Sequence, residues 1–147
     1  MELRPLKDAQ HQELLLSLQR QDDVWEFVGT LPIVDGGQHH LFAIMDGELS
    51  LGFAGLVKSQ TPDGNDFELL CAIRSEVQQR GIAKRACQLV LTWAFDTAKF
   101  ERVLACIDDS NEAARAIAIK LGMTELAARP PARTVYVKYR DARSQTA

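Results

Sequence analysis

The sequence has no long hydrophobic run and few cysteines. No apolar stretch approaches the roughly 20 residues that a membrane-spanning helix needs, and the start, Met1 to Pro5, lacks the apolar region of a signal peptide. We therefore expect a cytoplasmic protein that does not engage a membrane. The three cysteines have apolar neighbours, no CxxC pairing and no histidine at metal-ligand spacing: Cys71, Cys87 and Cys106. We expect reduced core thiols and no metal site.

An excess of basic residues is also missing. The chain has 17 Lys and Arg against 20 Asp and Glu, a formal net charge of -3, which argues against nucleic-acid binding and suits a cationic substrate. Its 147 residues, 46% of them apolar, can bury one core but leave no room for a second domain. We expect one domain over residues 1–147 with a flexible tail after about residue 141, as a monomer or homodimer.

Hydrophobic periodicity predicts alternating strands and helices. A strand near Leu3 precedes a helix that Asp8 can cap, whereas residues 21–38 are irregular and fit a packed loop or a substrate-facing flap. Asp46-Gly47 predicts a two-residue hairpin turn between strands 41–45 and 48–58. In the second strand the alternating residues form one apolar face that is predicted to pack on a helix: Leu49, Leu51, Phe53, Gly55 and Val57. The later predicted elements are strand 67–73, helix 83–99, strand 103–107, helix 111–121 and strands 124–127 and 134–140. The order β-α-β-β-β-α-β-α-β-β predicts an α/β fold with one mixed sheet flanked by helices.

An anion site is predicted where the apolar strand ending at Ile73 runs into the next helix. Backbone N–H groups of a helix's first turn lack intrahelical partners and favour an anion, and Gly81 permits close approach of a pyrophosphate. Arg80, Lys84 and Arg85 add positive charge. The alternative is an ordinary strand-to-helix turn with a solvated basic patch.

The segment Gln78-x-x-Gly81-x-Ala83 resembles the Q/R-x-x-G-x-G/A signature of the GNAT superfamily of N-acetyltransferases, in the family's position between a strand and a helix. This resemblance implies a mostly antiparallel sheet and acetyl-CoA as the acetyl donor. It implies main-chain contacts from Cys71 and Ile73 to the pantetheine arm, and a pyrophosphate loop of Gln78, Gln79, Arg80, Gly81, Ile82, Ala83 and Lys84.

A second stretch, from Asp109 to Met123, is similar to the family's N-x-x-A/S-x-x-x-x-x-K-L-G-F pattern. By this resemblance Asn111 contacts the cofactor through its side chain. The alternative role for Asn111 is a helix cap, and the two roles are compatible.

The chemistry that the resemblance implies is direct attack of an amine on the thioester, without a covalent enzyme intermediate. A backbone N–H near Cys71 to Ile73 would stabilise the oxyanion. Glu68, a carboxylate inside an apolar strand, is the candidate base, with Asp66 a weaker substitute. Glu68 could instead anchor a neighbouring strand or loop.

The general acid is less well marked. Many family members carry a tyrosine in the last helix, where this sequence has Ala118, which leaves Tyr136 as a candidate acid. Tyr136 and Tyr139 are predicted on opposite faces of the last strand, so one of them should be core. His39-His40 lie in a polar stretch, are expected to face solvent and receive no role.

The function that follows is acetyl transfer from acetyl-CoA to a primary amine, either a protein N-terminus or a small molecule. The pattern most resembles the ribosomal-protein N-terminal acetyltransferase subgroup. Because Ala118 replaces the usual acid, a noncatalytic acyl-CoA-binding or regulatory module is the alternative.

Overall fold

The computed structural model describes residues 1–5, 25–28, 39–59, 66–74 and 81–140, with the backbone alone at residues 25–28 and 39. Its strands are β1 (Glu2–Pro5), β2 (Trp25–Val28), β3 (His39–Asp46), β4 (Leu49–Lys58), β5 (Phe67–Arg74), β6 (Arg102–Asp108), β7 (Thr124–Arg129) and β8 (Arg133–Tyr139). Its helices are α1 (Ile82–Thr92), which continues as a π-helical turn over Trp93–Thr97, and α2 (Glu112–Lys120). The helix predicted after Asp8 and the tail after residue 141 lie outside the described residues.

The strands form one sheet in the order β1-β3-β4-β5-β6-β8-β7, with β2 added on β5 outside this path. Every pairing is antiparallel except that of β5 with β6. This parallel pair is joined by α1, as a β-α-β unit requires. The predicted α/β fold with a mixed, mostly antiparallel sheet is confirmed, while β2 was not predicted.

The predicted hairpin forms, but its two turn residues are Gly47 and Glu48 rather than Asp46 and Gly47, because Asp46 pairs with Leu49, and of Asp46 and Gly47 only Gly47 has a positive φ, of 61°. However, Ile44 faces Gly52 while Met45 faces Ser50, so Leu51 is an extra residue in β4. An extra residue reverses the alternation of side chains beyond it. The prediction that one set of odd-numbered residues faces the helix is therefore wrong: beyond the bulge, Ala54 and Leu56 join the helix-side core, whereas Phe53 is buried outside it.

Both helices pack on the same face of the sheet. The core between them contains α1 residues such as Val90, α2 residues such as Ala118, and alternate residues of β5 and β6. After α2, Gly122 takes a left-handed φ of 86°, as predicted, and the ammonium of Lys138 donates to the carbonyl of Leu121 at 2.6 Å. The three cysteines are buried thiols, as predicted.

A separate apolar cluster covers the other face, formed by Leu104, Cys106, Val135 and Val137. Since side chains alternate along a strand, β5 presents Leu69, Cys71 and Ile73 to the helices and Glu68, Leu70 and Ala72 to this second face. The described helices include none long and apolar enough to cross a membrane.

Candidate functional site

The centre of the site is a fork between β5 and β6. The two parallel strands are in register at Glu68 and Leu104 alone. Beyond that pair, toward the carboxyl end of β5, the neighbour of β5 is β2, which pairs with residues Cys71 to Arg74. The strands of the central β-α-β unit therefore part just after Glu68, and a segment of extended chain occupies the gap.

The backbone groups that face this gap belong to Cys71 and Ile73. A Cβ added to Gly52 of β4 would collide with the carbonyl oxygen of Ala72, so that carbonyl points toward β4. In an extended strand the adjacent residues point their N–H and C=O groups to the opposite edge. Here Val28 stands opposite Cys71 and Glu26 opposite Ile73. The two residues predicted to pair with pantetheine thus pair with β2 in this structure.

Helix α1 is the next described element after β5 in the chain. Gly81 is its N-cap at a φ of 75°, with no side-chain cap and no acidic residue in the first turn. The first intrahelical bond runs from the Arg85 N–H to the Gly81 carbonyl at 3.1 Å. Helical geometry leaves the N–H groups of Ile82, Ala83 and Lys84 without acceptors in the helix. The predicted loop residues Gln78, Gln79 and Arg80 lie outside the described residues.

Arg74 is a functional candidate that the sequence reasoning missed. It is the last residue of β5, and six residues separate it from Gly81. Its Nε is buried without a hydrogen-bond partner among the described residues. A buried, unsatisfied donor of a cation costs free energy unless an anion or water accepts from it. Its basic character was visible in the sequence, but its burial was not.

Asn111 is the N-cap of α2, as the alternative reading of the sequence predicted. Its Oδ1 accepts a hydrogen bond from the Ala114 N–H at 3.1 Å. One function of this side chain is therefore to begin the helix, and contact with a cofactor stays a prediction.

The two candidate bases differ in their partners. Asp66 accepts two hydrogen bonds from Arg102, at 2.9 and 2.8 Å, and this bidentate pairing raises the pKa of Arg102. Glu68 is only 9% exposed, and its ion-pair partner among the described residues is Arg129, whose Nη1 lies 3.7 Å from its Oε1. Asp66 is committed to its ion pair, whereas Glu68 keeps unused acceptor capacity.

Tyr136 is a core residue, 2% exposed, whose hydroxyl oxygen accepts from the Arg115 Nε of α2 at 3.3 Å. This hydrogen bond is the main reason that the pKa of Arg115 is raised. The side chain shares the core cluster with Ala118. Tyr139 is 57% exposed, so the prediction that one of the two tyrosines is core is confirmed.

The histidine pair begins β3. His40 is half-buried, with its ring centroid 5.4 Å from that of Phe67 and 5.2 Å from that of Trp93. The expectation that both histidines face solvent is wrong for His40, because β3 turns this side chain onto the helix side of the sheet.

A family model described as an acetyltransferase (GNAT) domain matches residues 1–124. The chain belongs to the GNAT acetyltransferase family. The match covers the fork, the start of α1 and all of α2, and it confirms the resemblance carried by Gln78 to Ala83 and by Asn111. No curated protein matches the sequence.

Solved GNAT structures share the fold across nearly the whole chain. An acetyltransferase from Agrobacterium tumefaciens is 23% identical, covering 93% of this chain and 89% of its own, with a TM-score of 0.66. A ribosomal-protein-S5-alanine acetyltransferase from Vibrio fischeri is 16% identical, with coverage of 95% and 93% and a TM-score of 0.72. A spermidine N-acetyltransferase mutant from Vibrio cholerae is 15% identical, with coverage of 98% and 99% and a TM-score of 0.75. At these identities the likeness concerns the fold.

The described residues of this GNAT domain include no group of three or more His, Cys, Asp or Glu side chains placed to hold a metal ion. They combine an extended strand edge, an open helix terminus and a buried carboxylate around one fork. The strand edge and the helix terminus can bind a ligand that has an extended amide chain and a phosphate end, and the carboxylate can bind a cation beside it.

Proposed function

We propose that this protein transfers an acetyl group from acetyl-CoA to a primary amine by direct attack. The observation that carries the proposal is the fork after Glu68, where the β5 edge leads to the uncapped amino end of α1. Acetyl-CoA has matching parts: amide groups along its pantetheine arm and a pyrophosphate at the far end.

The residues of the fork fit this donor. Cys71 and Ile73 would pair with the pantetheine amides, while the N–H groups after Gly81 would donate to the pyrophosphate oxygens, helped by the helix dipole. Arg74, with its unsatisfied buried Nε, supplies a positive charge at the same end of β5. Gln78, Gln79, Arg80, Ile82, Ala83 and Lys84 complete the loop in this proposal.

Binding of the donor then requires β2 to leave the β5 edge, because β2 and pantetheine would use the same N–H and C=O groups. One residue contributes these groups to only one neighbour at a time. The free energy of acetyl-CoA binding is therefore reduced by the cost of displacing Trp25–Val28 from Cys71–Arg74.

For the transfer, the amine nitrogen attacks the thioester carbon, the carbon–sulfur bond breaks and CoA leaves as the thiolate. A β5 backbone N–H stabilises the oxyanion. Glu68 accepts the ammonium proton directly or through water, since its carboxylate has unused acceptor capacity at the base of the fork. Tyr136 is the notional acid, since its hydroxyl oxygen accepts from Arg115 and its own proton stays available to donate. The side chain is only 2% exposed, so solvent is the simpler proton source for the thiolate.

The donor site can be tested with two glycines that share the same local constraint. Gly81 and Gly47 have φ angles of 75° and 61°, and a Cβ at either would meet no atom within 4 Å. Gly81→Val and Gly47→Val should lose similar stability, roughly 1–2 kcal/mol each. Only Gly81→Val should weaken acetyl-CoA binding in calorimetric titration, by at least about tenfold. Equal affinities in the two variants would refute the proposed donor site.

The reaction is tested by release of free CoA with spermidine or an alanine-initiated peptide as acceptor. Binding of acetyl-CoA without turnover of any amine would favour the noncatalytic acyl-CoA-binding module. Glu68→Gln should lower the turnover number on a responsive acceptor about 10²- to 10⁴-fold. Full activity of this variant across the pH range would show that Glu68 has a structural role.

A further inference from the structure

The Glu68 carboxylate is an unusual group at its position in the sheet. It stands in a central strand, with Val57 opposite on β4 and Leu104 opposite on β6. Its face of the sheet is the apolar one that Leu104 and Cys106 cover. A carboxylate buried there needs a cation or several hydrogen-bond donors nearby.

The described residues supply only a loose partner for this carboxylate. Among them, the Arg129 guanidinium makes the one ion-pair contact with Glu68, at 3.7 Å, which is longer than the 2.7–2.9 Å usual for charged hydrogen bonds. The Arg102–Asp66 pair in the same sheet, at 2.8 Å, shows the tight alternative. Glu68 therefore keeps most of its acceptor positions available.

Arg129 reaches this carboxylate from the β7–β8 hairpin. It is the last residue of β7 and stands opposite Arg133 of β8. Arg133 is held separately by Asp108 at 2.8 Å. The Arg129 side chain is 34% exposed, so its guanidinium can swing into solvent without unfolding the strand.

From this geometry we propose that Arg129 occupies the place of the acceptor's ammonium group and thereby determines acceptor specificity. The inference rests on the proposed function, in which the amine approaches Glu68. An incoming ammonium carries the same charge as the guanidinium and is compact enough to reach 2.7–2.9 Å. It displaces Arg129 from Glu68, whereas an uncharged amine offers no replacement charge and leaves Arg129 in place.

The consequence is a competition between an internal and an external cation. If Arg129 occupies the carboxylate about nine-tenths of the time, its removal should raise ammonium affinity about tenfold. A purely structural ion pair predicts the opposite pattern, in which Arg129→Gln loses stability and leaves ammonium affinity unchanged.

The direct test uses propylammonium chloride as the probe, with potassium chloride holding ionic strength constant. Binding is followed by the ¹³C shift of the Glu68 side-chain carboxyl, assigned by its loss in Glu68→Gln. Arg129→Gln should bind the probe about tenfold more tightly than the unaltered protein. Arg133→Gln removes the same charge from the same hairpin and should bind it as the unaltered protein does.

Two further variants make the result specific. Arg129→Lys keeps a cation and should recover most of the unaltered affinity. Glu68→Gln with Arg129→Gln lacks the carboxyl signal, is followed through the backbone amide shifts of β5, and should show no gain. An unchanged or weaker affinity in Arg129→Gln, or an equal gain in Arg133→Gln, would overturn the inference. This titration needs no acetyl-CoA, so a failure of acetyl transfer in the CoA-release assay is distinguished from it.

Discussion

Gly52→Ala is expected to be the most damaging single-methyl change in the described sheet. Gly52 has a φ of 153°, which L-residues rarely adopt, and an added Cβ would collide with the Ala72 carbonyl and lie 3.0 Å from the Ile73 Cα. The strained φ costs about 1–3 kcal/mol, and overpacking against backbone adds about 1–3 kcal/mol. Gly47→Ala carries a positive φ of 61° without any contact, so it should cost only about 1 kcal/mol.

These free energies convert into a measurable difference in melting temperature. At roughly 2–4 °C per kcal/mol for a chain of this size, Gly52→Ala should melt about 4–24 °C lower and Gly47→Ala about 2–4 °C lower. Calorimetry or circular dichroism would record both. Because the added methyl group at residue 52 would displace the strand that carries Cys71 and Ile73, acetyl-CoA affinity should fall in Gly52→Ala and not in Gly47→Ala. Equal melting temperatures would show that β4 and β5 are not packed as described.

Three further variants probe the fork and the ion pair beside it. Val28→Cys places a thiol opposite Cys71, and opposed Cα atoms in antiparallel strands lie within disulfide range. The oxidised protein should lose acetyl-CoA binding and regain it on reduction, whereas equal binding in both states would show that β2 does not compete with acetyl-CoA. Arg74→Gln should weaken acetyl-CoA binding about three- to tenfold but leave acetylpantetheine, which lacks the pyrophosphate, unaffected; an equal loss for both ligands would contradict a phosphate contact. Asp66→Asn breaks the bidentate pair with Arg102 and should lower the unfolding free energy by about 1 kcal/mol in urea titration. An unchanged midpoint would show that the pair does not stabilise the fold.

Local sequence signals determined most of the regular elements. Gly47 favours its hairpin because glycine adopts the positive φ of the turn without a steric cost, and Gly122 ends α2 for a similar reason. The apolar period of α1 and the apolar run of β5 likewise predict a helix and a central strand. The family signature from Gln78 to Ala83 depends on the same kind of short-range constraint, a glycine between a strand and a helix start.

The partners of the site residues were decided by the tertiary structure. Pairing of β2 with Cys71–Arg74 joins segments more than 40 positions apart, and residues 25–28 carry no periodic signal that selects β5. The extra residue Leu51 reverses which β4 side chains meet the helix, although alternation in the sequence looks regular.

The same holds for Glu68, the residue on which the proposed chemistry depends. Its charge inside an apolar strand marks it in the sequence, and strand parity then leaves two faces open. Only the packed sheet turns it to the side opposite α1 and brings Arg129 to within 3.7 Å from a hairpin 61 positions later. The sequence by itself determined the GNAT signature that follows β5, because that signature is local. The tertiary structure decided which cation lies beside Glu68 and which strand pairs with Cys71–Arg74, because long-range contacts depend on how the whole sheet closes.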